Sequence, residues 1–225
     1  MHIEGASSNL LVIHGQAGGL RGAEQTLSPD HIEAASLAAI ATLTPGHVTI
    51  QPVIRADLHM ISAVYEKLGV QLVVEGDQLH TYEQPWGSFL GAQHPNVDLA
   101  VDTAPWPGFP SDLVAVTTVM ATQTNATTLI HEKLFSDRLL FVDKLRGMGA
   151  QIVLSDPHRA IVIGKTPLHG EYIDNPDVRI GLGLLAAALC AQGRTTIDRA
   201  ELIGRYFEDV IPKLTALGAA IEVEP

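Results

Sequence analysis

Three arginines stand close to the starts of helices that the sequence predicts. Arg138 and Arg205 each begin a predicted amphipathic helix, and Arg179 lies two residues after Asp177 in an apolar one. A cation at a helix N-terminus opposes the helix dipole, and a bound phosphate or carboxylate would resolve that conflict. The pattern therefore indicates a site for an anionic ligand, with three solvated or ion-paired arginines as the equally good structural alternative.

An aspartate ends the proline-rich segment APWPGFPSD and leads into a predicted buried helix. The simplest role of this residue, Asp112, is to cap that helix, because aspartate side chains accept hydrogen bonds from first-turn amides. A carboxylate near arginines could instead act as a general base. Asp30 and Asp177 also precede predicted helices and are expected to be caps alone. Arg55, which opens another helix, is expected to be solvated or ion-paired.

A metal site and a phosphate-binding glycine loop have little support in the sequence. The ten histidines are scattered with no HExxH motif, and the glycines between Gly15 and Gly22 do not lie between a strand and a helix. The single cysteine, Cys190, lies in the apolar segment GLGLLAAALCAQG, so we expect a small buried side chain rather than a nucleophile or a metal ligand. No metal and no cofactor are therefore expected.

The candidate residues belong to a segment that recurs three times along the chain. Each copy has a helix start after proline, an apolar helix, a strand that ends in isoleucine, and a second helix that ends at glycine. The helix starts are Asp30, Asp112 and Asp177, the strands end at Ile50, Ile130 and Ile197, and the closing glycines are Gly69, Gly149 and Gly218. Such a repeat indicates one supersecondary unit that has been copied and packed against itself.

The two helices of each copy differ in their apolar surface. The first helices contain LAAIATL, LVAVTTVMAT and GLGLLAAALCA, which are apolar on nearly every face, whereas the second helices carry charge on one face. Short β-branched strands such as HVTIQPV, TTLIHEKL, VQLVVE, AQIVLS and AAIEVE follow the helices. We therefore expect one domain over residues 1–225 with its helices inside and its strands outside. Its repeats should cover about 23–84, 98–165 and 168–225, after a lead-in strand, LLVIHG, within 1–22.

Composition and charge exclude several classes of partner. The chain has 225 residues, of which 46% are hydrophobic and only 5% aromatic, so its core must be largely aliphatic. A net charge of −11 argues against binding to nucleic acid or to an anionic membrane surface. The longest apolar stretches fall short of the ~20 residues that cross a bilayer, and no signal-peptide pattern opens the chain. A cytoplasmic location is therefore expected.

Four segments carry a resemblance to a known family. They are LRGAEQTLSPDHIEA from Leu20, DTAPWPGFPSD from Asp102, LFSDRLLFVDKLRGMGA from Leu134, and the helix that follows Asp177. They resemble the second lobe of the enolpyruvyl transferases, in particular those of peptidoglycan synthesis, and the likeness runs from about residue 10 to the C-terminus. It implies an inside-out α/β lobe of three βαβαββ units with buried helices, and substrates held in a cleft between two lobes.

The resemblance also implies a reaction and a role for each candidate residue. The enolpyruvyl group of phosphoenolpyruvate would be transferred to the 3-hydroxyl of UDP-N-acetylglucosamine by addition and elimination, without a metal. Asp112 matches the carboxylate that deprotonates the hydroxyl, and Leu134 matches a main-chain contact to the sugar nucleotide. Arg138 and Arg179 match arginines that hold the phosphoenolpyruvate carboxylate, and Arg205 matches one at its phosphate.

The sequence departs from the family in three respects. The family's other lobe, with its mobile cysteine or aspartate loop, has no counterpart in these residues, and Cys190 is not that cysteine. His31 stands where the family usually has arginine, and Tyr206 where a glycine is common. We therefore expect activity only with an N-terminal enolpyruvyl transferase lobe in the same or another chain. The alternatives are a non-catalytic binding or scaffold protein and an enolpyruvyl transferase for another acceptor.

Overall fold

Helices and short strands alternate along the chain. The computed structural model describes residues 2–6, 8–19, 21–44, 46–82, 99–174 and 176–224. Within these ranges the α-helices are α1 His31–Leu43, α2 His59–Lys67, α3 Val114–Gln123, α4 Val142–Gly147, α5 Gly181–Cys190 and α6 Val210–Ala216. The strands there are β1 His2–Glu4, β2 Val12–His14, β3 Thr49–Ile50, β4 Leu72–Glu75, β5 Gln78–Thr81, β6 Ala100–Asp102, β7 Thr127–His131, β8 Gln151–Asp156, β9 Arg159–Ile163, β10 Tyr172–Ile173 and β11 Thr196–Ile197. Short 3₁₀ helices occupy Arg55–Leu58, Ser111–Leu113 and Ala200–Arg205.

The three apolar helices α1, α3 and α5 pack against one another at the centre, as the sequence predicts. Every residue of α3 before Gln123 is buried, and its hydroxyl groups are partly satisfied within the helix: the Thr118 hydroxyl donates to the carbonyl of Val114 at 2.7 Å. A helix without a polar face can be stable in water only when it is covered on all sides. Among the described parts of the chain, no helix has the length and apolarity needed to cross a membrane.

Small residues set the distance between α3 and α5. A Cβ atom placed on Gly183 of α5 would lie 2.6 Å from the Cβ of Ala115 and 2.9 Å from its carbonyl carbon. These distances are shorter than any ordinary carbon contact, so the two helix backbones meet where only glycine fits. The core is therefore close-packed through small side chains, in agreement with its aliphatic composition.

The second copy of the repeat shows the complete βαβαββ unit. Its four strands are ordered β6-β7-β9-β8, with β6 parallel to β7, and β9 antiparallel to both β7 and β8. Ile130 lies opposite Ala160, and Ile152 opposite Val162, and all four side chains are buried. The inner face of this sheet packs on α3, which places the helix inside and the strands outside.

The other two copies are less regular than predicted. The first copy forms a sheet ordered β3-β5-β4, and the third contributes the parallel pair β10 and β11. The segment AAIEVE is not a strand, because no hairpin partner for residues 219–224 occurs among the described residues. The predicted lead-in strand forms, as β2, but it pairs with β1 in an exposed hairpin outside the first copy's sheet. The boundary predicted between 84 and 98 lies outside the described residues.

Cys190 lies at the end of α5, where its thiol donates to the carbonyl of Ala187 at 3.4 Å. Burial raises the pKa of this thiol to about 12. The thiolate is the reactive form of cysteine, so a raised pKa makes the side chain chemically inert at neutral pH. Cys190 is half-buried, so the prediction of a buried side chain holds only in part, and its environment is that of an unreactive thiol.

We expect Gly183→Ala to lower the free energy of unfolding by about 1–3 kcal/mol, because the new methyl group must push α3 and α5 apart. Urea denaturation followed by circular dichroism measures this change. Gly147→Ala is the matched control, since a Cβ on this helical glycine would meet only the Glu171 side chain at an ordinary 3.9 Å, and the change should stay within about 1 kcal/mol. Equal stability of the two variants would contradict the close approach of the helices.

We also expect Cys190 in the folded protein to react with a disulfide reagent at pH 8 at least about 100-fold more slowly than in urea. The reason is the raised pKa of the thiol, which leaves very little thiolate at that pH. Absorbance of the released thiolate of the reagent gives both rates. A native rate close to the denatured rate would show that the thiol is neither buried nor shifted.

Candidate active site

A closed proline-rich turn positions Asp112. The amide of Ala104 donates to the carbonyl of Phe109 at 3.0 Å, which closes the turn, and the Phe109 ring is 2% exposed and anchors it in the core. The chain then enters the 3₁₀ helix Ser111–Leu113, which continues directly into α3. This arrangement holds the Asp112 side chain, 31% exposed, at the surface above the buried helices.

Arg138 is fixed from two sides. Its Nη1 lies 3.2 Å from Oδ1 of Asp112, and its guanidinium carbon lies 4.4 Å from the centroid of the Phe135 ring. The Arg138 side chain is only 11% exposed, so its charge is partly shielded from water and interacts more strongly with an anion. Asp112 is not a helix cap, since the cap positions are Pro110 and Leu113 and its carboxylate pairs with Arg138.

Aromatic rings border the same carboxylate. Burial, together with the negative charges of Asp112 and Asp30, raises the pKa of Tyr206, whose ring lines the cavity beside Asp112. The Trp106 ring also lines the cavity and lies 4.8 Å from the His31 ring. Tyr206 lines the cavity, and His31 reaches it only through its contact with Trp106.

These groups surround one cavity of about 380 Å³. The described residues that line it are Ala104, Pro105, Trp106, Gly108, Pro110, Ser111, Asp112, Leu134, Phe135, Arg138, Arg179 and Tyr206. Four of the five predicted site residues are among them. Arg205 is not, although its neighbour Tyr206 is. Successive residues near a 3₁₀ helix point in different directions, so one of the two faces the cavity and the other faces solvent.

The predicted helix starts at the arginines are wrong. Arg138 lies in a turn before α4, Arg179 in a turn before α5, and Arg205 at the end of a 3₁₀ helix before α6. The dipole conflict that indicated an anion site therefore does not exist in the form predicted. Arg55 begins a 3₁₀ helix, and its guanidinium donates a hydrogen bond to the carbonyl of Val74. This contact has a structural role.

Of the other two repeat aspartates, Asp30 is the predicted helix cap, whereas Asp177 is not, because the cap position of α5 is Ile180. Asp30 caps α1, with Oδ1 accepting from the amide of Ile32 at 2.8 Å. Asp177 accepts from the amide of Arg179 at 2.8 Å and thereby stabilises the turn before α5. That turn carries the Arg179 side chain to the cavity.

Glu132 is a residue of the site that the sequence reasoning missed. It is fully buried; Oε1 accepts from the amides of Leu134 at 2.8 Å and Phe135 at 3.2 Å, and Oε2 accepts from the hydroxyl of Ser111 at 2.6 Å. Because the Leu134 amide already donates to Glu132, a main-chain contact from Leu134 to a ligand would have to use its carbonyl. The available signal was a glutamate directly after the apolar strand TTLIH.

A second hollow, of about 400 Å³, lies at the outer end of the four-stranded sheet. There the ammonium group of Lys133 and the ring of His131 contact Asp102 at 2.9 and 3.0 Å, and the Lys133 hydrogen bond lowers the pKa of Asp102. Across the described ranges, no three histidine, cysteine, aspartate or glutamate side chains come together in a group suited to a metal ion. This hollow contains none of the predicted site residues.

Comparison with known proteins agrees with the resemblance. UDP-N-acetylglucosamine 1-carboxyvinyltransferase of Treponema denticola is 40% identical over 225 residues, which is 99% of this chain and 52% of that protein. The enzyme of the same name from Bacteroides thetaiotaomicron is 41% identical over 227 residues, 97% of this chain and 51% of that protein. The chain thus spans about half the length of the curated relatives it matches.

Solved structures give the same fold. The enolpyruvyl transferase NikO from Streptomyces tendae superposes with a TM-score of 0.75 at 25% identity, covering 88% of this chain and 45% of that one. EPSP synthase from Acinetobacter baumannii superposes with a TM-score of 0.67 at 19% identity over 88% and 48%. The sequence profile of EPSP synthase (3-phosphoshikimate 1-carboxyvinyltransferase) matches residues 1–214. The chain therefore belongs to the EPSP synthase family of enolpyruvyl transferases.

Proposed function

We propose that this chain forms one wall of an active site that transfers the enolpyruvyl group of phosphoenolpyruvate to the 3-hydroxyl of UDP-N-acetylglucosamine in peptidoglycan synthesis. The observation that carries the proposal is the ion pair of Asp112 and Arg138 in a cavity that Leu134 and Arg179 also line. The names of the relatives at about 40% identity support the acceptor. We assign the reaction to the cytoplasm, as expected from the sequence.

Asp112 is proposed as the base for the acceptor hydroxyl. In the addition step the hydroxyl oxygen bonds to C2 of phosphoenolpyruvate, C3 gains a proton to become a methyl group, and the hydroxyl proton passes to the carboxylate. In the elimination step C3 loses a proton, the bond from C2 to the phosphate oxygen breaks, and phosphate leaves. A carboxylate that is partly exposed at a cavity wall can reach a bound hydroxyl.

Arg138 and Arg179 are proposed to hold the carboxylate of phosphoenolpyruvate. A guanidinium group presents a planar fork of N–H donors that matches a carboxylate or a phosphate, and charge-assisted hydrogen bonds of this kind are strong. The limited exposure of Arg138 increases its effect on charge that develops during the reaction. Arg205 is proposed as an outer contact to the phosphate, where the ligand extends beyond Tyr206.

A second lobe is proposed to supply the group that exchanges the C3 proton. Asp112 is the single carboxylate among the described residues that line the cavity, whereas the reaction moves protons at both the hydroxyl and C3. Leu134 would contact the sugar nucleotide through its carbonyl. The partner is an N-terminal enolpyruvyl transferase lobe, which belongs either to the same protein or to another chain.

One observation favours the alternative, a binding protein without catalysis. Tyr206 lines the cavity beside Asp112, where burial and the charge of Asp112 raise the pKa of the tyrosine, so its ring stands where the acceptor hydroxyl must approach. A ligand must displace that ring before Asp112 can take a proton. If the ring stays in place with ligand bound, the chain would bind the sugar nucleotide and release it unchanged.

We expect no turnover by this chain alone, because only one wall of the cleft is present. Mixing it with the separately produced N-terminal half of the Treponema denticola relative should restore release of phosphate from phosphoenolpyruvate. The assay measures phosphate and identifies the product by mass, with shikimate 3-phosphate as the competing acceptor. Product formed by the purified chain alone would contradict the need for a second lobe, and product with shikimate 3-phosphate only would contradict the acceptor.

In the reassembled enzyme, Asp112→Asn should lower kcat by about 10²–10⁴-fold, because the amide cannot accept the hydroxyl proton. The near-identical shape of asparagine should leave the melting temperature almost unchanged. Asp143→Asn is the control, since this exposed aspartate pairs with Arg146 away from the cavity. An unchanged kcat for Asp112→Asn would limit Asp112 to holding Arg138.

A further inference from the structure

A single buried carboxylate joins two segments of the candidate site. Glu132 follows the end of β7, and its main chain is tied to the neighbouring turn. Its amide donates to the carbonyl of His158 at 2.8 Å, and its carbonyl accepts from Nδ1 of His158 at 2.7 Å. These two hydrogen bonds hold the main chain of Glu132, and so the base of its side chain, in place at the end of the sheet. No part of Glu132 is exposed, and it does not line the cavity.

One oxygen of this carboxylate determines the direction of the Leu134 carbonyl. The amide of Phe135 donates to Oε1 of Glu132, so this N–H points inward. The carbonyl of Leu134 belongs to the same planar trans peptide and points the opposite way, away from Glu132. Leu134 and Phe135 line the cavity, so this carbonyl lies on the side that a ligand can approach.

The other oxygen holds the segment that carries Asp112. Oε2 accepts from the hydroxyl of Ser111, which is buried and directly precedes Asp112 in the 3₁₀ helix. Phe135, on the first segment, also supports the guanidinium of Arg138. A shift of Glu132 would therefore move the proposed base, the proposed main-chain contact and one arginine relative to each other.

We propose that Glu132 is a positioning residue, which sets the distance between the Leu134 and Asp112 segments without touching substrate. The inference rests on the proposed function for its catalytic consequence. A glutamine can make the same three hydrogen bonds, since its carbonyl accepts from both amides and its NH₂ group donates to Ser111, whose hydroxyl can also accept. An alanine can make none of them.

The first test measures amide hydrogen exchange in this chain by NMR, and it needs no ligand. Glu132→Ala should speed exchange at Leu134 and Phe135 by about tenfold or more relative to the amides of β7. Glu132→Gln should keep both rates within about threefold of the original. Unchanged protection of the two amides in Glu132→Ala would overturn the proposal, because the segment would then be held by other contacts.

The second test uses the chain reassembled with the N-terminal half of the relative. Glu132→Ala should lower kcat/KM for UDP-N-acetylglucosamine by about tenfold or more, and Glu132→Gln should recover it to within about threefold. Ile130→Ala, in β7 just before Glu132 and equally buried, is the control that loses stability but leaves the three hydrogen bonds of the Glu132 carboxylate in place. Its kcat/KM should stay within about threefold of the original.

The outcomes separate this proposal from the proposed function. An equal loss of kcat/KM in Ile130→Ala and Glu132→Ala would overturn a positioning role and leave only a contribution to stability. No turnover by the original reassembled enzyme would contradict the proposed function. In that case the exchange rates of Leu134 and Phe135 still decide whether Glu132 holds the two segments.

Discussion

Three helices that are apolar on all faces must each be covered on all sides, and the rest of the structure follows from that requirement. Helices α1, α3 and α5 meet at the centre through small side chains, so close at Gly183 that no Cβ atom fits. The strands and the amphipathic helices then form the outer layer. Polar side chains consequently gather outside the buried helices: Asp112 and Arg179 directly precede α3 and α5, and Arg138 lies between β7 and α4.

The candidate site combines a partly exposed ion pair with a fully buried carboxylate that supports it. Asp112 and Arg138 form a partly exposed ion pair, which an anionic ligand and a hydroxyl can compete for. Glu132 accepts hydrogen bonds from Ser111, which precedes Asp112, and from the amides of Leu134 and Phe135, which precede Arg138. Buried polar networks of this kind are stable when every member is satisfied. Such a support makes the geometry of the cavity a property of the fold rather than of the ligand.

Sequence periodicity was enough to predict the buried helices, but it was less informative for the outer strands and for the site. All-round apolarity identified the buried helices α1, α3 and α5, and Asp30 was identified as a cap from its type and position. The segment AAIEVE was predicted wrongly because a strand needs a partner, which local pattern does not supply. Helices α4 and α5 begin later in the chain than predicted, so Arg138 and Arg179 lie in the turns that precede them.

The grouping of the site residues came from the resemblance rather than from spacing. Spacing alone left the arginines equally consistent with a solvated surface, and only the family likeness joined Leu134 to them. Glu132 was missed because its importance depends on contacts across the fold, to Ser111 and to two backbone amides. Arg205 was predicted to line the site, but its neighbour Tyr206 lines the cavity instead. A sequence does not show which way the side chains at the end of a 3₁₀ helix point.

The measurement that tests the account most directly is calorimetric titration of phosphoenolpyruvate into the reassembled lobes without the acceptor, so that binding is measured in the absence of turnover. We predict one binding site for phosphoenolpyruvate, with an affinity that falls by about 30-fold or more in Arg138→Gln, because a partly buried guanidinium is lost. Equal affinities of the original protein and Arg138→Gln would contradict the account, since the ligand would then bind away from the cavity that Asp112 and Arg138 form.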